Sequence, residues 1–552
     1  MSQDLEKSEL GHIEASTSDS TDDPKGFHNT QTPGDAAQAI LADAHAPVIV
    51  ASEDNARILS KIDWHLLPIM LAIYFLQQLD KSTLSYASVF HLVQKTHLVG
   101  YQFSALGSIL YAAQFVWQPV SSFFLVRLPV AQWLAFNVLC WGIVLCGMTA
   151  AKDFKGLIVT RFFLGIFEAT VAPTFVTITG MWWRRREQTQ RTSLWYSMNG
   201  VTNLLGSLLT YGLGQIKSDK LEPYQVIASS IATGGSAHCS QIIFLFAGLL
   251  TVIFSLIIFT FLPNSPTTAR FLTPDEKLIA VERLRANNTG TETKTWKWEQ
   301  VHECLLDPKT WFWFLMLFTI CVPSGGISTF GPLIVNSFGF SQLHTILFNM
   351  PFGAVQIFAT VGSGYLATRT KRIFPVLVAL TLPSIAGAAA LLVLPRDAAH
   401  RGSLLAAYYI VSFYTGILPL IYTWSSQNTA GHTKKTVTTG IMFCGQSAGN
   451  IVGPFLYTVN QAPYYHKGLK SSLICFSALA VMFLCCAAYL SFLNRQHGKR
   501  REAMGKARVL VDASREKTSD AAAAQQANGA TFATNAFDDL TDKANEDFIY
   551  AL

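Results

Sequence analysis

Charge is scarce in this chain. Only 14% of its 552 residues are Asp, Glu, Lys or Arg, where a soluble domain carries about 25%. That shortage argues against a soluble enzyme, and the repeated apolar spans argue against a soluble enzyme held by one or two anchors. The nine cysteines show no paired spacing, so neither a disulfide framework nor a zinc pattern is expected. Cys140, Cys146, Cys321, Cys444, Cys475, Cys485 and Cys486 lie in or beside apolar stretches, where Cys behaves as a small hydrophobe. No histidine cluster stands at metal-ligand spacing and no phosphate-cradling loop occurs, so no cofactor is expected. Net charge of +6 and a pI near 8.7 do not point to nucleic acid, because the basic residues are scattered over loops. A signal peptide is also lacking. Residues 1–60 are polar, and the first apolar stretch is expected to act as an uncleaved insertion signal.

What the chain has instead is apolar length. Half of its residues are hydrophobic and mean hydropathy is +0.30. A helix needs about 20 mostly apolar residues to cross a bilayer. Such stretches fall near residues 64–90, 101–124, 129–149, 156–181, 191–215, 241–262, 311–336, 344–367, 374–394, 403–424, 436–460 and 469–493. The pattern predicts an all-α membrane protein of twelve transmembrane helices in two six-helix repeats. Its organisation would be a disordered polar tail (1–60), a first half (61–262), a central loop (263–310), a second half (311–493) and a second polar tail (494–552). Loops on the side of the termini hold the larger share of Lys and Arg, which predicts both termini in the cytoplasm. In the central loop Thr273 reads as a helix N-cap, with Pro274 next and Glu276 three residues on. The sequon at Asn287 would face the cytosol and go unused.

Four charges inside the spans are the candidate chemistry. Asp80 and Lys81 lie in the first span, and Arg161 and Glu168 in the fourth. Ionisable groups at membrane depth face a bundle interior or a watery cavity, so two acids with two bases fit a path for an anion and a proton. A structural role, with Asp80 and Lys81 neutralising each other or Arg161 snorkelling to the headgroups, is the alternative. A carboxyl removed from water takes up a proton more readily, and a nearby cation opposes this. An anion that occupies the cation therefore favours protonation of the acid. Uncharged lining candidates are Gln77, Gln114, Gln118, Asn199 and Asn203 in the first half, with Gln356, Tyr409 and Asn450 in the second. Phe330, Tyr408, Tyr409 and Tyr414 are aromatic candidates for stacking on a planar ligand. His344 and His432 read as loop-edge residues. Gly445, Gly449 and Gly453 form a small-residue stripe that serves close helix packing. The second half carries almost no intramembrane charge and would supply shape and apolar contacts.

Several motifs are specific. Lys61-Ile-Asp-Trp-His-Leu-Leu-Pro68 with Gln78-Leu-Asp80-Lys81 resembles the start of the anion:cation symporter family of the major facilitator superfamily. So does Arg161-Phe-Phe-Leu-Gly-Ile-Phe-Glu-Ala169 with Pro173, followed by Trp182-Trp-Arg-Arg-Arg-Glu187 and Arg191. Leu262-Pro-Asn-Ser-Pro-Thr-Thr-Ala-Arg270, Asn428-Thr-Ala-Gly-His-Thr-Lys-Lys435 and Gly449-Asn-Ile-Val-Gly-Pro454 resemble the fungal allantoate permease branch. The resemblance runs from about residue 58 to 495.

The resemblance implies a proton-coupled importer of a small carboxylate nutrient, such as allantoate, nicotinate or pantothenate, working as a monomer in the plasma membrane. It implies proton coupling by Asp80 and Glu168, anion binding by Lys81 and Arg161, and a polar substrate contact at Asn199. Gln114 and Gln356 complete the expected substrate set. Relatives often have Arg where this chain has Lys81, which exchanges a bidentate fork for a point charge. Two rival functions remain: export of a fungal secondary metabolite by proton antiport, and nutrient sensing without transport. Drug-type antiporters carry a Gly-Pro-Gly-Gly pattern in the fifth span. The stretch Gly200 to Gly214 here has no proline, which favours import.

Overall fold

The computed structural model describes residues 52–89, 102–151, 153–215, 239–287, 295–340, 342–457, 461, 463–516 and 539–552. Among these the secondary structure is entirely helical. Six elements form the first half: α1 (Ser52–Val89), α2 (Gln102–Arg127), α3 (Val130–Gly147), the pair α4 (Phe154–Glu168) and α5 (Val171–Trp182), the pair α6 (Arg185–Tyr196) and α7 (Met198–Gln215), and α8 (Cys239–Phe261). The central loop carries α9 (Pro274–Glu282) and α10 (Trp298–Leu306). The second half has α11 (Pro308–Asn336), α12 (Gln342–Thr370), α13 (Phe374–Val393), the pair α14 (Arg401–Val411) and α15 (Ile417–Gln427), α16 (His432–Leu456) and α17 (His466–Ala503).

Nine described spans are long and apolar enough to cross a membrane. The other three expected spans are occupied by α7, α8 and α16. Large apolar side chains such as Phe259, Val481, Leu484 and Phe492 are exposed, as expected where the solvent is lipid. The first helix starts at Ser52, so residues 52–60 are its opening turns and no part of a polar tail. Residues 1–51 lie outside the described region.

Two breaks sit at corresponding places in the halves. Pro173 lacks an N–H and its ring crowds the carbonyl of Ala169, so the fourth span breaks just after Glu168. In the tenth span a short tight turn, Ser412–Gly416, precedes α15, and Pro419 follows it. Discontinuous helices of this kind line binding cavities in membrane transporters.

Lipid tails supply no hydrophobic drive between helices, so association rests on close packing. The glycine stripe does this. Gly445, Gly449 and Gly453 of α16 each face a backbone carbonyl of α11, those of Phe314, Phe318 and Val322. Between the halves, a Cβ on Gly353 of α12 would meet the Gly200 carbonyl of α7 at 2.7 Å.

The central-loop cap forms as expected. Thr273 Oγ1 accepts from Glu276 N at 3.3 Å, and Glu276 returns the bond at 3.1 Å. Lys61 then pairs with Glu276 at 2.5 Å. The motif charges at this end interlock as well. Arg191 and the Trp183 indole both donate to Asp63, and Arg283 Nη2 donates to both Glu187 carboxylate oxygens at 2.8 Å. Asn287 is buried, accepting from Arg185 N and donating to Trp183 O. A glycan there would have to draw this buried amide out of its packing.

The second polar tail departs from expectation. The helix α17 continues to Ala503, ten residues past the predicted end at 493. Residues 539–552 pack against the helix ends, with Asp542, Phe548, Tyr550 and Ala551 buried. This end of the bundle, where α1 begins and α17 ends, is called the tail side below.

Candidate functional site

The two halves enclose a cavity of about 250 Å³. Its lining runs from Tyr74 to Ser82 on α1, from Cys321 to Pro332 on α11 and from Gln356 back to Asn349 on α12. By chain direction these residues extend from mid-helix toward the end opposite the tail side. On the tail side an aromatic floor closes it. Trp195 of α6 stacks on Tyr422 of α15 with ring centres 6.2 Å apart, and Tyr196 meets the same ring edge-on at 5.9 Å. Tyr74 packs onto Trp195, and Phe443 onto Tyr422.

Inside, the four expected charges come together, but Lys81 pairs with Glu168 and not with its neighbour Asp80. Neighbouring residues on a helix point about 100° apart, so Asp80 and Lys81 meet different partners. Lys81 Nζ pairs with Glu168 Oε1 at 2.7 Å, with the Tyr111 ring 6.0 Å away. The other Glu168 oxygen has no hydrogen-bond partner. Asp80 turns to α3, where Trp141 Nε1 donates to its Oδ2 at 2.5 Å. It is buried beside the cavity and absent from its lining. Arg161 lines the cavity and is 3% exposed, so it does not snorkel. Its Nε and the Asp80 Oδ1 are both buried without hydrogen-bond partners.

The expected amides divide by role. Gln114, Asn199 and Gln356 all line the cavity. Asn199 Nδ2 donates to the Tyr196 carbonyl at 3.0 Å and reaches Tyr74 Oη at 3.5 Å. Asn203 Nδ2 donates across the halves to Gln356 Oε1 at 2.7 Å. Gln77, Gln118 and Asn450 also line it, and the Gln77 Oε1 and Gln118 Nε2 atoms are buried without partners. Tyr408 and Tyr414 line the cavity, whereas Tyr409 and Phe330 do not. Tyr409 bonds the Phe348 carbonyl, and Phe330 stacks on Tyr457.

The second half differs from expectation in one respect. Its contribution is uncharged but polar, through Ser324, Ser328, Asn349, Gln356, Gln446 and Asn450. Residues that sequence reasoning missed are Tyr74, Tyr111, Gln446 and Trp141. Tyr74 lies seven residues before Lys81, on the same helical face, and that spacing was the available signal. The string Gly445-Gln-Ser447-Ala-Gly449 spells a hydrolase nucleophile elbow, a turn that needs a strand before it. Here it lies within α16, and Ser447 Oγ donates to the Phe443 carbonyl.

The arrangement places a guanidinium short of partners, an ion-paired lysine and Glu168 at one cavity wall, Asp80 behind them, and amides and phenols around. It can receive a small polar ligand with an anionic group and exchange a proton nearby. Among the described residues no His, Cys, Asp and Glu cluster is set to hold a metal.

Comparison with known proteins places this geometry. A profile of the Major Facilitator Superfamily matches residues 70–454. An uncharacterized transporter of Schizosaccharomyces pombe is 32% identical over 464 residues, 84% of each chain. The allantoate permease of Saccharomyces cerevisiae is 29% identical over 530 residues, covering 93% of this chain and 89% of the permease. In fold, the proton:xylose symporter XylE superposes with a TM-score of 0.60 at 12% identity, over 77% of this chain and 95% of XylE. The chain belongs to the major facilitator superfamily, and it is a membrane transporter and not an enzyme.

Proposed function

We propose that this transporter imports a small organic anion together with a proton, with both termini in the cytoplasm. The observation that carries the reading is the buried charge quartet, with one guanidinium left short of partners at a cavity wall. An Arg fork is suited to a carboxylate, and a buried polar group left unpaired is costly. A carboxylate ligand would satisfy Arg161 and compete with Glu168 for Lys81. The displaced acid would then be relieved of its charge by a proton. Anion and proton thus favour each other because each neutralises what the other leaves exposed. The similarity to an allantoate permease agrees with an anionic nutrient as cargo.

In this reading the tail side is cytoplasmic, so the cavity faces outward and the aromatic floor is the closed inner gate. Proton coupling resides in Asp80 and Glu168. Substrate contacts come from Lys81, Arg161, Asn199, Gln114 and Gln356. The domain limits are those of the two halves as their helices run, 52–261 and 308–503, around the central loop. The protein works as a monomer in the plasma membrane.

The test is uptake of a mixed carboxylate pool by cells expressing the chain at external pH 5, read by mass spectrometry with and without a protonophore. Selective accumulation that collapses with the protonophore supports the proposal and names the cargo. Faster loss of a preloaded metabolite would replace it with export, and no change in either direction would leave sensing as the better account.

A further inference from the structure

Residues 539–552 lie at the tail side as a strap held almost entirely by the second half. Asp542 is fully buried, paired with Lys309 of α11 and with Lys434 of α16 at 2.8 Å. Asp539 accepts from His432 N at 2.6 Å and pairs with Lys297 at 2.7 Å. Tyr550 and Asn494 of α17 exchange two bonds, at 2.8 and 2.9 Å. Ala551 N donates to Asn428 at 2.7 Å, its carbonyl accepts from the Trp424 indole, and the Leu552 carbonyl accepts from Ile373 N at 2.8 Å. A solvated polar tail would not bury its carboxylate between two ammonium groups, because desolvated charges persist only when paired.

Among the described residues, Arg185 of the first half joins this assembly. Arg185 Nη1 donates to the Ile549 carbonyl at 3.0 Å, and its guanidinium lies 4.6 Å from the centre of the buried Phe548 ring. Its Nε and Nη2 are buried without hydrogen-bond partners, and the nearest carboxylate, Asp512, stands 3.9 Å away. Arg185 opens α6, the helix whose far end carries Trp195 and Tyr196 of the aromatic floor. Any opening of the cavity toward the tail side must part Trp195 and Tyr196 from Tyr422, and so must carry α6 away from the second half.

We propose that segment 539–552 is a latch: docked on the second half, it grips Arg185 of the first and holds the tail-side gate closed. The anchors to the second half are many and the grip across the halves is narrow, so the latch opens at Phe548 and Arg185 while the strap stays seated. Movement between two discrete arrangements at an interface of this kind is how packed halves switch. The proposal rests on the fold and the strap contacts, and it stands whichever cargo the cavity takes.

The test uses the full chain without its native cysteines, in sealed vesicles that expose the tail side. One cysteine replaces Leu418, which lines the cavity beside the floor, and a membrane-impermeant maleimide is added. Phe548→Ala and, separately, Arg185→Gln are expected to raise the labelling rate at least fivefold. The double variant should gain no more than the larger of the two single effects, because both release the same grip on the first half. In oppositely oriented vesicles, a cysteine replacing Thr329, on the other side of the cavity, should label more slowly in both variants. Unchanged labelling at both positions would overturn the latch and leave the strap as a brace of the second half. Faster labelling at both positions would overturn it too, since that marks loosening and not a shift between two states.

Discussion

Glu168→Gln isolates the proton from the anion. The amide keeps the shape of the side chain and cannot carry the charge that Lys81 Nζ meets at 2.7 Å. Losing one partner of a buried pair costs about 3–5 kcal/mol in stability, which the twelve-span fold tolerates with a lowered melting temperature. The functional effect is worked from the gradient. One proton carried with one monoanion moves no net charge, so two pH units across the membrane supply about 2.7 kcal/mol, a hundredfold accumulation. Without the titrating acid that ratio should fall to about one, while exchange of external for internal anion continues within about threefold of wild type. The assay is paired net uptake and counterflow in proteoliposomes, using whichever carboxylate the wild-type chain accumulates. Retained accumulation would refute the coupling role of Glu168. Loss of both activities would make it a structural or substrate-binding residue.

Arg161→Lys should raise the apparent KM about 10- to 150-fold, the worth of one charged hydrogen bond of about 1.5–3 kcal/mol, and leave the proton-to-anion ratio unchanged in the same proteoliposomes. Gly353→Val should lower both the melting temperature and the transport rate, because its Cβ would meet the Gly200 carbonyl at 2.7 Å and force the halves apart; differential scanning fluorimetry and uptake check this. Burial disfavours the charge on Asp542, but Lys309 and Lys434 outweigh it and hold the carboxyl well below the usual range. A depressed acid contributes fully above its free pKa, about 4, and is lost only as pH falls through the lower docked value. Hydrogen exchange at the Ala551 amide should therefore be flat in relative protection from pH 5 to 8, and Asp542→Asn should speed it at every pH in that window.

Most of the architecture was legible because the bilayer forces it: backbone polar groups must be satisfied within each span, and only long apolar helices comply. The spans least apolar in composition show why hydropathy weakens where function begins. Asn199 and Asn203 dilute α7, and Gln446, Ser447 and Asn450 dilute α16, and these residues line the cavity. The partners were not legible. A string that places Asp80 beside Lys81 says nothing of Trp141 on α3 or Glu168 on α4, which the packing of separate helices brings to them. Tyr408 and Tyr409 differ by one position and so by about 100° of helix, enough to turn one to the cavity and the other away. The strap was missed for a different reason. Its Asp residues count as solvated in any composition measure, and only the fold reveals that lysines of the central loop and the second half neutralise them in burial.

The most direct measurement is proton movement caused by the anion. In proteoliposomes holding a pH-sensitive dye, with the first-identified carboxylate added outside at equal pH, the account predicts acidification of the lumen. One proton should enter per monoanion, and Glu168→Gln should abolish the signal. Alkalinisation, or anion entry with no pH change, would contradict it.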